Sequence, residues 1–278
     1  TLADRWIISR FNTTAAEVTA DLDKYELGEA ARTLYDFIWN EFCDWYVEMV
    51  KPRLYGKETP LSRQTAQNVI AEVLSQTMAL LHPFMPFITE EIWQHLPHEG
   101  ETIMLSAWPE SKSQLIDAEI EKQMDIAMDV IRAIRNIRSE MNVPLGKKAP
   151  AIISANSAYA YALLDKTQAY ICNLATVDEL TLTEQLAEKP AQAATAVVSG
   201  IEIYLPLKGL IDMDKEIARL EKEVEKANQE IARVQGKLSN EGFIAKAPAA
   251  VIDKEKEKLA QYQANLAALV ERLNSYKN

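Results

Sequence analysis

The stretch LIDMDKEIARLEKEVEKANQEIARVQGKL, residues 210–238, places apolar residues at alternating steps of three and four. Its apolar seam consists of Leu210, Met213, Ile217, Leu220, Val224, Ala227, Ile231, Val234 and Leu238. This spacing is the period of a coiled-coil helix. After a break at residues 239–248, a second seam consists of Leu259, Tyr262, Leu266, Leu269, Leu273 and Tyr276. Two seams separated by a turn predict an antiparallel coiled-coil hairpin over residues 208–278.

A parallel dimer through the first seam is the alternative to this hairpin. A dimer would leave the second seam uncovered or would require a larger bundle. The intramolecular hairpin covers both seams within one chain, so we expect a monomer. With a rise of 1.5 Å per residue, the first helix would project roughly 40 Å.

Residues 1–146 have the spacing of a helical bundle. One stripe at three- and four-residue steps consists of Ala31, Leu34, Tyr35, Ile38, Trp39, Phe42, Tyr46 and Met49. We expect this stripe to be buried and Pro52 to end its helix. Similar spacing predicts helices over about residues 3–20, 61–81, 88–96 and 115–141. Residues 102–108 look strand-like and predict a short extended segment.

In residues 147–207 the apolar residues no longer follow the helical spacing of three and four. Alternating or apolar runs predict strands at residues 150–154, 177–182, 195–198 and 201–207, with a helix over 158–174. The chain is therefore expected to be mainly α, with a helical bundle (1–146), a small α/β subdomain (147–207) and the hairpin (208–278).

Composition limits the possible partners. Of the 278 residues 48% are hydrophobic, which is enough for a core, and no apolar run approaches the roughly 18 residues of a membrane helix. We therefore expect no membrane partner. The net charge of −11 argues against an indiscriminate nucleic-acid binder and against DNA. Residues 209–278 are balanced, with 12 basic and 12 acidic residues, so any RNA contact must come from local patches.

The sequence offers no catalytic or metal-ligating constellation. Cys43 and Cys172 lie far apart, and the three histidines are His82, His95 and His98. Such an inventory fits a reducing cytosol and predicts neither a disulfide framework nor a zinc site. Cys43 as a thiol nucleophile is the remaining enzymatic alternative, although a buried cysteine is usually a small hydrophobe.

Basic residues close to aromatic ones are the candidates for RNA contacts, because guanidinium groups pair with phosphates and aromatic rings stack on unpaired bases. In the bundle these candidates are Arg5, Trp6, Arg10, Lys51, Arg53, Arg132, Arg135 and Arg138. In the hairpin they are Arg219, Lys222, Arg233, Lys237 and Lys246. For each candidate, an ordinary surface ion pair is the competing interpretation.

Several segments together resemble a known family. They are residues 4–10 (DRWIISR), 42–46 (FCDWY) with Lys51-Pro52, 82–93 (HPFMPFITEEIW) and 131–140 (IRAIRNIRSE). These segments resemble the anticodon-binding domain of class I aminoacyl-tRNA synthetases. The turn of the hairpin, residues 238–248, is similar to that of the bacterial valyl-tRNA synthetases within the class.

This resemblance implies a function that the chain would not complete alone. The family's HIGH-like and KMSKS-like signatures, its nucleotide-binding domain and its editing domain have no counterpart in the sequence, so we expect a C-terminal part of such an enzyme. The implied reaction joins valine to tRNA(Val) with ATP, bound in the absent catalytic domain. The implied role of this chain is to hold the anticodon loop with the bundle and the outer corner of the tRNA with the hairpin. No cofactor is implied for the chain itself. The alternative function is a coiled-coil scaffold that dimerises and binds no RNA.

Overall fold

The computed structural model describes residues 1–186, 188–210, 213–240 and 248–277. The chain divides into two compact units, of which the first comprises residues 1–131 and 166–175 and the second residues 132–165 and 176–278. The finer division into 1–146, 147–207 and 208–278 stays a prediction. The mainly α fold class is confirmed.

Helices build the first unit. In chain order they are α1 (Leu2–Asp23), α2 (Leu27–Asp36), a π-helical segment (Phe37–Val47), α3 (Glu48–Leu54), α4 (Pro60–Leu81), α5 (Pro86–Gln94) and the first part of α6 (Ala118–Glu140). Helix α4 begins where the hydroxyl of Thr59 accepts the N–H of Ser62 and Pro60 takes the first helical position. Single 3₁₀ turns lie at Ile103–Leu105 and Ser113–Leu115.

Large aromatic and aliphatic side chains form the core of the first unit. Trp6, Ile7, Leu34 and Phe37 are almost fully buried. The rings of Phe11 and Phe37 lie 6.1 Å apart between centroids, so α1 packs against the start of the π-helical segment. Burial of side chains of this size contributes about 1.5–3 kcal/mol each.

Three local predictions for this unit were wrong. Tyr35 and Trp39 lie exposed rather than in the buried stripe. Tyr35 lies in α2, whose buried face is that of Ala30 and Leu34. Trp39 lies in the π-helical segment, which takes one residue more per hydrogen-bonded turn and shifts the face that a regular helix would bury. Pro52 lies inside α3, since a proline removes only its own donor and the N–H of Tyr55 still reaches Lys51 O at 3.0 Å. The segment 102–108, predicted as extended throughout, is interrupted by the 3₁₀ turn Ile103–Leu105 between the extended residues Thr102 and Ser106, and the hydroxyl of Thr102 accepts the N–H of Met104.

A four-stranded mixed sheet forms the centre of the second unit. Its strands are β1 (Ala149–Ala155), β2 (Val177–Thr183), β3 (Ala193–Val198) and β4 (Ile201–Pro206), in the order β2-β1-β4-β3. Helix α7 (Ala158–Leu174) connects the parallel pair β1 and β2, and β4 runs antiparallel to both of its neighbours. Ile153 pairs with Ile203 across the centre, and both are fully buried.

The hairpin, here called the arm, consists of α8 (Met213–Leu238) and α9 (Ala249–Lys277) packed against each other. Leu220, Ala227, Ile231 and Val234 of the first seam are buried, and the second seam is half-buried from Leu259 to Leu273. The ammonium of Lys237 near the end of α8 lies 3.5 Å from the carboxylate of Glu255 near the start of α9. The two helices are therefore antiparallel, as predicted. Among the described residues, no helix combines the length and apolar character needed to cross a membrane.

Candidate nucleic-acid interface

A polar cluster around a buried ion pair joins four helical segments of the first unit. The guanidinium of Arg53 donates to both carboxylate oxygens of Asp4, at 2.7 and 2.9 Å. Tyr46 donates its hydroxyl to the same carboxylate at 2.8 Å, and Arg53 also donates to the hydroxyl and carbonyl of Ser62. Helix α1, the π-helical segment, α3 and α4 thus meet at one polar cluster.

The electrostatics of this cluster follow from burial and pairing. Burial alone would raise the pKa of Asp4, but the hydrogen bonds from Arg53, Thr1 and Tyr46 outweigh it and lower the pKa to about 2. For the cationic Arg53, burial alone would lower the pKa. The hydrogen bonds and charge of the Asp4 carboxylate outweigh this effect, and the pKa of Arg53 is raised. Burial, followed by the charge of the same carboxylate, raises the pKa of Tyr46 well above its usual range. Both Asp4 and Arg53 are therefore charged at neutral pH.

Two predicted contact residues of the first unit are therefore structural. Arg53 is only 3% exposed and its donors are occupied by Asp4 and Ser62, so it presents no guanidinium to an RNA. Trp6 is 2% exposed and forms part of the core. The reason in both cases is tertiary: partners distant in sequence cover side chains that lie near helix ends.

Arg10 belongs to an ion-pair triad. It donates in a bidentate manner to Glu41, at 2.7 and 2.9 Å, and its remaining terminal nitrogen lies 3.2 Å from Glu121. These carboxylates raise the pKa of Arg10. Releasing Arg10 to a phosphate would leave two half-buried carboxylates without their counter-charge, which is costly. Arg10 is therefore held in place by the bundle.

Two predicted cations of the first unit remain accessible. Arg5 is mostly exposed and forms a surface pair with Asp117 at 3.1 Å. Lys51, near the end of α3, pairs with Glu48 one helical turn earlier, and its side chain is 42% exposed. Exposed pairs of this kind contribute about 0–1 kcal/mol, so a phosphate can replace the carboxylate at little cost.

The three predicted arginines of α6 have different environments, and all three belong to the second unit. Arg132 and Arg135 are exposed, as predicted. Arg138 is 7% exposed and donates to three backbone carbonyls, those of Lys147 at 2.7 Å and of Pro144 and Thr176 at 3.3 Å. Burial lowers the pKa of Arg138. Its position below the surface makes it a support of the loop after α6 rather than a contact residue.

The predicted cations of the arm lie along its surface. Arg219 and Arg233 pair with Glu223 and Glu230 of the same helix, both at 2.6 Å. Lys222 is exposed, and Lys237 is 47% exposed beside Glu255. Lys246 lies outside the described residues. The described cations of the arm are thus accessible. Arg219 and Arg233 pair with surface carboxylates that a phosphate could replace, whereas the partner of Lys237, Glu255, is buried between the two helices.

Sequence reasoning missed an exposed aromatic pair. The rings of Tyr35 and Trp39 lie 6.4 Å apart at an angle of 51°, and Trp39 is 53% exposed. Large exposed rings are the surfaces on which unpaired bases stack. The apolar spacing alone places both rings in the buried stripe and gives no sign that they are exposed.

No described residues form a group of three or more metal-ligating side chains. His98 stacks on Trp93 with ring centroids 4.0 Å apart, and His95 contacts the carbonyl of Glu91. Burial, followed by the charge of Asp44, raises the pKa of the Cys43 thiol. This shift disfavours the thiolate that nucleophilic catalysis would need.

The helical bundle presents exposed cations and aromatic rings, which are the features of an RNA-binding module. The family described as "Anticodon-binding domain of tRNA ligase" matches residues 4–153, more than half of the chain, and the chain belongs to this family. A second family, "Valyl tRNA synthetase tRNA binding arm", matches residues 212–277, which is the arm.

The particular relatives of the chain are valine--tRNA ligases. It is 51% identical over 272 residues to that of Bacillus cereus, covering 98% of this chain and 31% of the relative. The enzyme of Carboxydothermus hydrogenoformans is 51% identical over 273 residues, and that of Listeria innocua 49% over 276, with the same 31% of the relative covered. The chain thus spans about a third of the length of these relatives and corresponds to their C-terminal part.

Proposed function

We propose that this chain is the part of a valine--tRNA ligase that holds tRNA(Val). The helical bundle contacts the anticodon loop and the arm contacts the outer corner of the same molecule. The whole protein would attach valine to tRNA(Val) with ATP, and the residues that form the bond would belong to the two-thirds of its relatives that this chain does not cover. In this proposal the chain acts as a monomer in the cytoplasm and needs no cofactor of its own.

The observation that carries the proposal is the presence of two tRNA-related families in one chain, at residues 4–153 and 212–277. Two contact regions on one ligand make the second contact intramolecular, so the combined affinity exceeds that of either region. Binding far from a reaction site also orients a substrate for it. A chain with no catalytic group of its own can therefore raise the rate of a remote reaction.

Charge supports the same proposal despite the net charge of −11. Arg5, Lys51, Arg132 and Arg135 are accessible on helices α1, α3 and α6, and Arg219, Lys222, Arg233 and Lys237 are accessible on the arm. With about six phosphate contacts, the slope of log K against log salt would be about −4 to −5. Patches of this kind bind RNA locally without making the whole chain basic.

The proposal is tested by titrating the chain with three RNAs over a range of salt concentrations. They are a valine tRNA, its isolated anticodon stem-loop, and the tRNA with an altered anticodon. We expect the whole tRNA to bind most tightly, the stem-loop more weakly, and the altered anticodon to lose the contribution of the bundle. A flat salt response, or equal binding of unrelated structured RNAs, would refute the proposal.

The contribution of the arm is tested by the fourfold variant Arg219→Ala, Lys222→Ala, Arg233→Ala, Lys237→Ala. Each phosphate contact that is lost should reduce the salt slope by about 0.7–0.9, and binding of the isolated stem-loop should not change. The matched control, which also removes four positive charges, is Lys57→Ala, Lys148→Ala, Lys189→Ala and Lys208→Ala, four exposed lysines outside the arm helices. Equal loss in the control would mean that net charge, and not the arm surface, determines affinity.

The competing function, a scaffold that dimerises through the arm, predicts no RNA binding by any of these forms. Packing of α8 against α9 within one chain argues against it, because the seams that a partner would use already cover each other. Tight binding of the valine tRNA would exclude it.

A further inference from the structure

The arm joins the sheet of the second unit through a short turn. Strand β4 ends at Pro206, and Gly209 follows with φ = +76°, a backbone conformation that favours glycine. Leu207 and Leu210 on either side are buried. The described part of the chain therefore leaves the sheet through a tight turn that reaches Leu210, three residues before α8 begins.

Lys147 holds this turn from outside. Its ammonium donates to the carbonyl oxygens of Gly209 and Leu210, the latter at 3.1 Å. An ammonium shared between two consecutive carbonyls fixes the direction of the peptide units just before the arm. No carboxylate is needed for this contact, since backbone carbonyls accept charged donors well.

Buried contacts in turn fix the backbone of Lys147. Arg138 donates to the carbonyl of Lys147 at 2.7 Å and to those of Pro144 and Thr176. Because Arg138 is buried on α6, the loop after α6 is tied to the helix on one side and to the start of β2 on the other. Lys147 thus extends from a rigid support.

The other end of the arm returns to the same loop. Tyr276, near the end of α9, is 3% exposed, and its hydroxyl lies 3.3 Å from the sulfur of Met141, the residue directly after α6. The start and the end of the arm are therefore both attached to the segment 141–147. Because both helices of the arm are attached at its base, the arm has a defined direction.

We propose that Lys147 is a positioning residue that sets the direction of the arm, and that tRNA binding depends on it although it need not touch RNA. This inference rests on the proposed function, because it concerns how the arm reaches its ligand. When the contact to Gly209 and Leu210 is lost, the base of the arm keeps, of these two described attachments, only the one at Tyr276, so the arm samples more directions and only a fraction of the molecules are ready to bind. If about one molecule in ten remains in the competent direction, the affinity for the whole tRNA falls about tenfold.

The test compares Lys147→Met, which removes the charge but keeps the length, with Lys148→Met, an adjacent exposed lysine that controls for the lost charge. We expect Lys147→Met to weaken binding of the whole valine tRNA about tenfold and to leave binding of the anticodon stem-loop unchanged, as positioning predicts. Lys147→Arg, which retains a charged donor, should restore most of the affinity. Equal affinities of Lys147→Met and the unchanged chain would overturn the inference.

A second measurement follows the arm itself in the full chain. Spin labels are placed at Val197→Cys on β3 and Gln261→Cys on α9, both exposed, with Cys43 and Cys172 replaced by serine. We expect the distance distribution to broaden in Lys147→Met and not in Lys148→Met, and an unchanged distribution would overturn the inference. If the unchanged chain binds neither RNA, the proposed function fails, and the distance distribution alone decides the role of Lys147.

Discussion

The buried pair of Asp4 and Arg53 gives the sharpest prediction, because replacing Asp4 by Asn removes one charge and leaves the other buried. The pKa of Asp4 falls from 3.8 to about 2 in the folded chain. At about 1.4 kcal/mol per pKa unit, the charged form contributes about 2 kcal/mol to the free energy of unfolding at neutral pH. The unpaired Arg53 adds to this loss, since breaking a buried pair from one side costs about 3–5 kcal/mol.

The assay is urea unfolding followed by tryptophan fluorescence. All five tryptophans lie within residues 1–108, so the signal reports on the first unit alone. With a denaturant slope of about 2 kcal/mol per molar urea, Asp4→Asn should lower the midpoint by at least about 1 M. The control is Glu29→Gln, which breaks the exposed pair with Arg32 and should leave the midpoint unchanged.

The dependence on pH tests the reasoning independently. The folded pKa of Asp4 is lower than the unfolded one, so its contribution is complete above about pH 5 and is lost as the pH falls towards 2. The difference between the unchanged chain and Asp4→Asn should therefore shrink over this range. A difference that does not vary with pH, or a midpoint equal to that of the control, would show that the pair does not stabilise the bundle as argued.

Tyr46→Phe should destabilise the first unit by about 1 kcal/mol, because Asp4 loses one buried hydrogen bond. Tyr55→Phe, at an exposed ring, should have no effect in the same urea assay. Trp39→Ala should leave the unfolding midpoint unchanged but weaken binding of the anticodon stem-loop about tenfold, as loss of a stacked base would. Tyr159→Ala is its control, and equal affinities would exclude stacking on Trp39. Light scattering should give a mass near 31.3 kDa for a monomer. Twice that mass would favour dimerisation through the arm.

The sequence was most informative where one local pattern sets the structure. The bounds of α7 match the prediction, and the seam residues of the arm whose burial the structure describes are buried or half-buried where the 3.5-residue spacing places them. Such elements are predictable because their buried face depends on residues within the same helix or its immediate neighbour.

The candidate interface was less predictable, because accessibility is a tertiary property. Arg53 pairs with Asp4 across 49 positions, and Arg138 contacts Thr176 across 38, so neither burial could be read from neighbouring residues. Trp39 was expected in the core and lies exposed, since apolar spacing does not predict where a helix turns from i→i+4 to i→i+5 bonding. Residue types thus identified candidate contacts, and packing decided which of them reach the surface.

The pairing of Lys237 with the buried Glu255 across the two helices has a consequence for how the arm can change length. Sliding one helix past the other would separate Glu255 from Lys237 and leave it only Lys258 of its own helix, so this contact favours one register near the tip. Seven residues added to each helix would preserve both the seam and this pairing, and would extend the arm by about 10 Å. The length of the arm can therefore change by insertions of whole heptads in both helices, without any change in the sheet of the second unit.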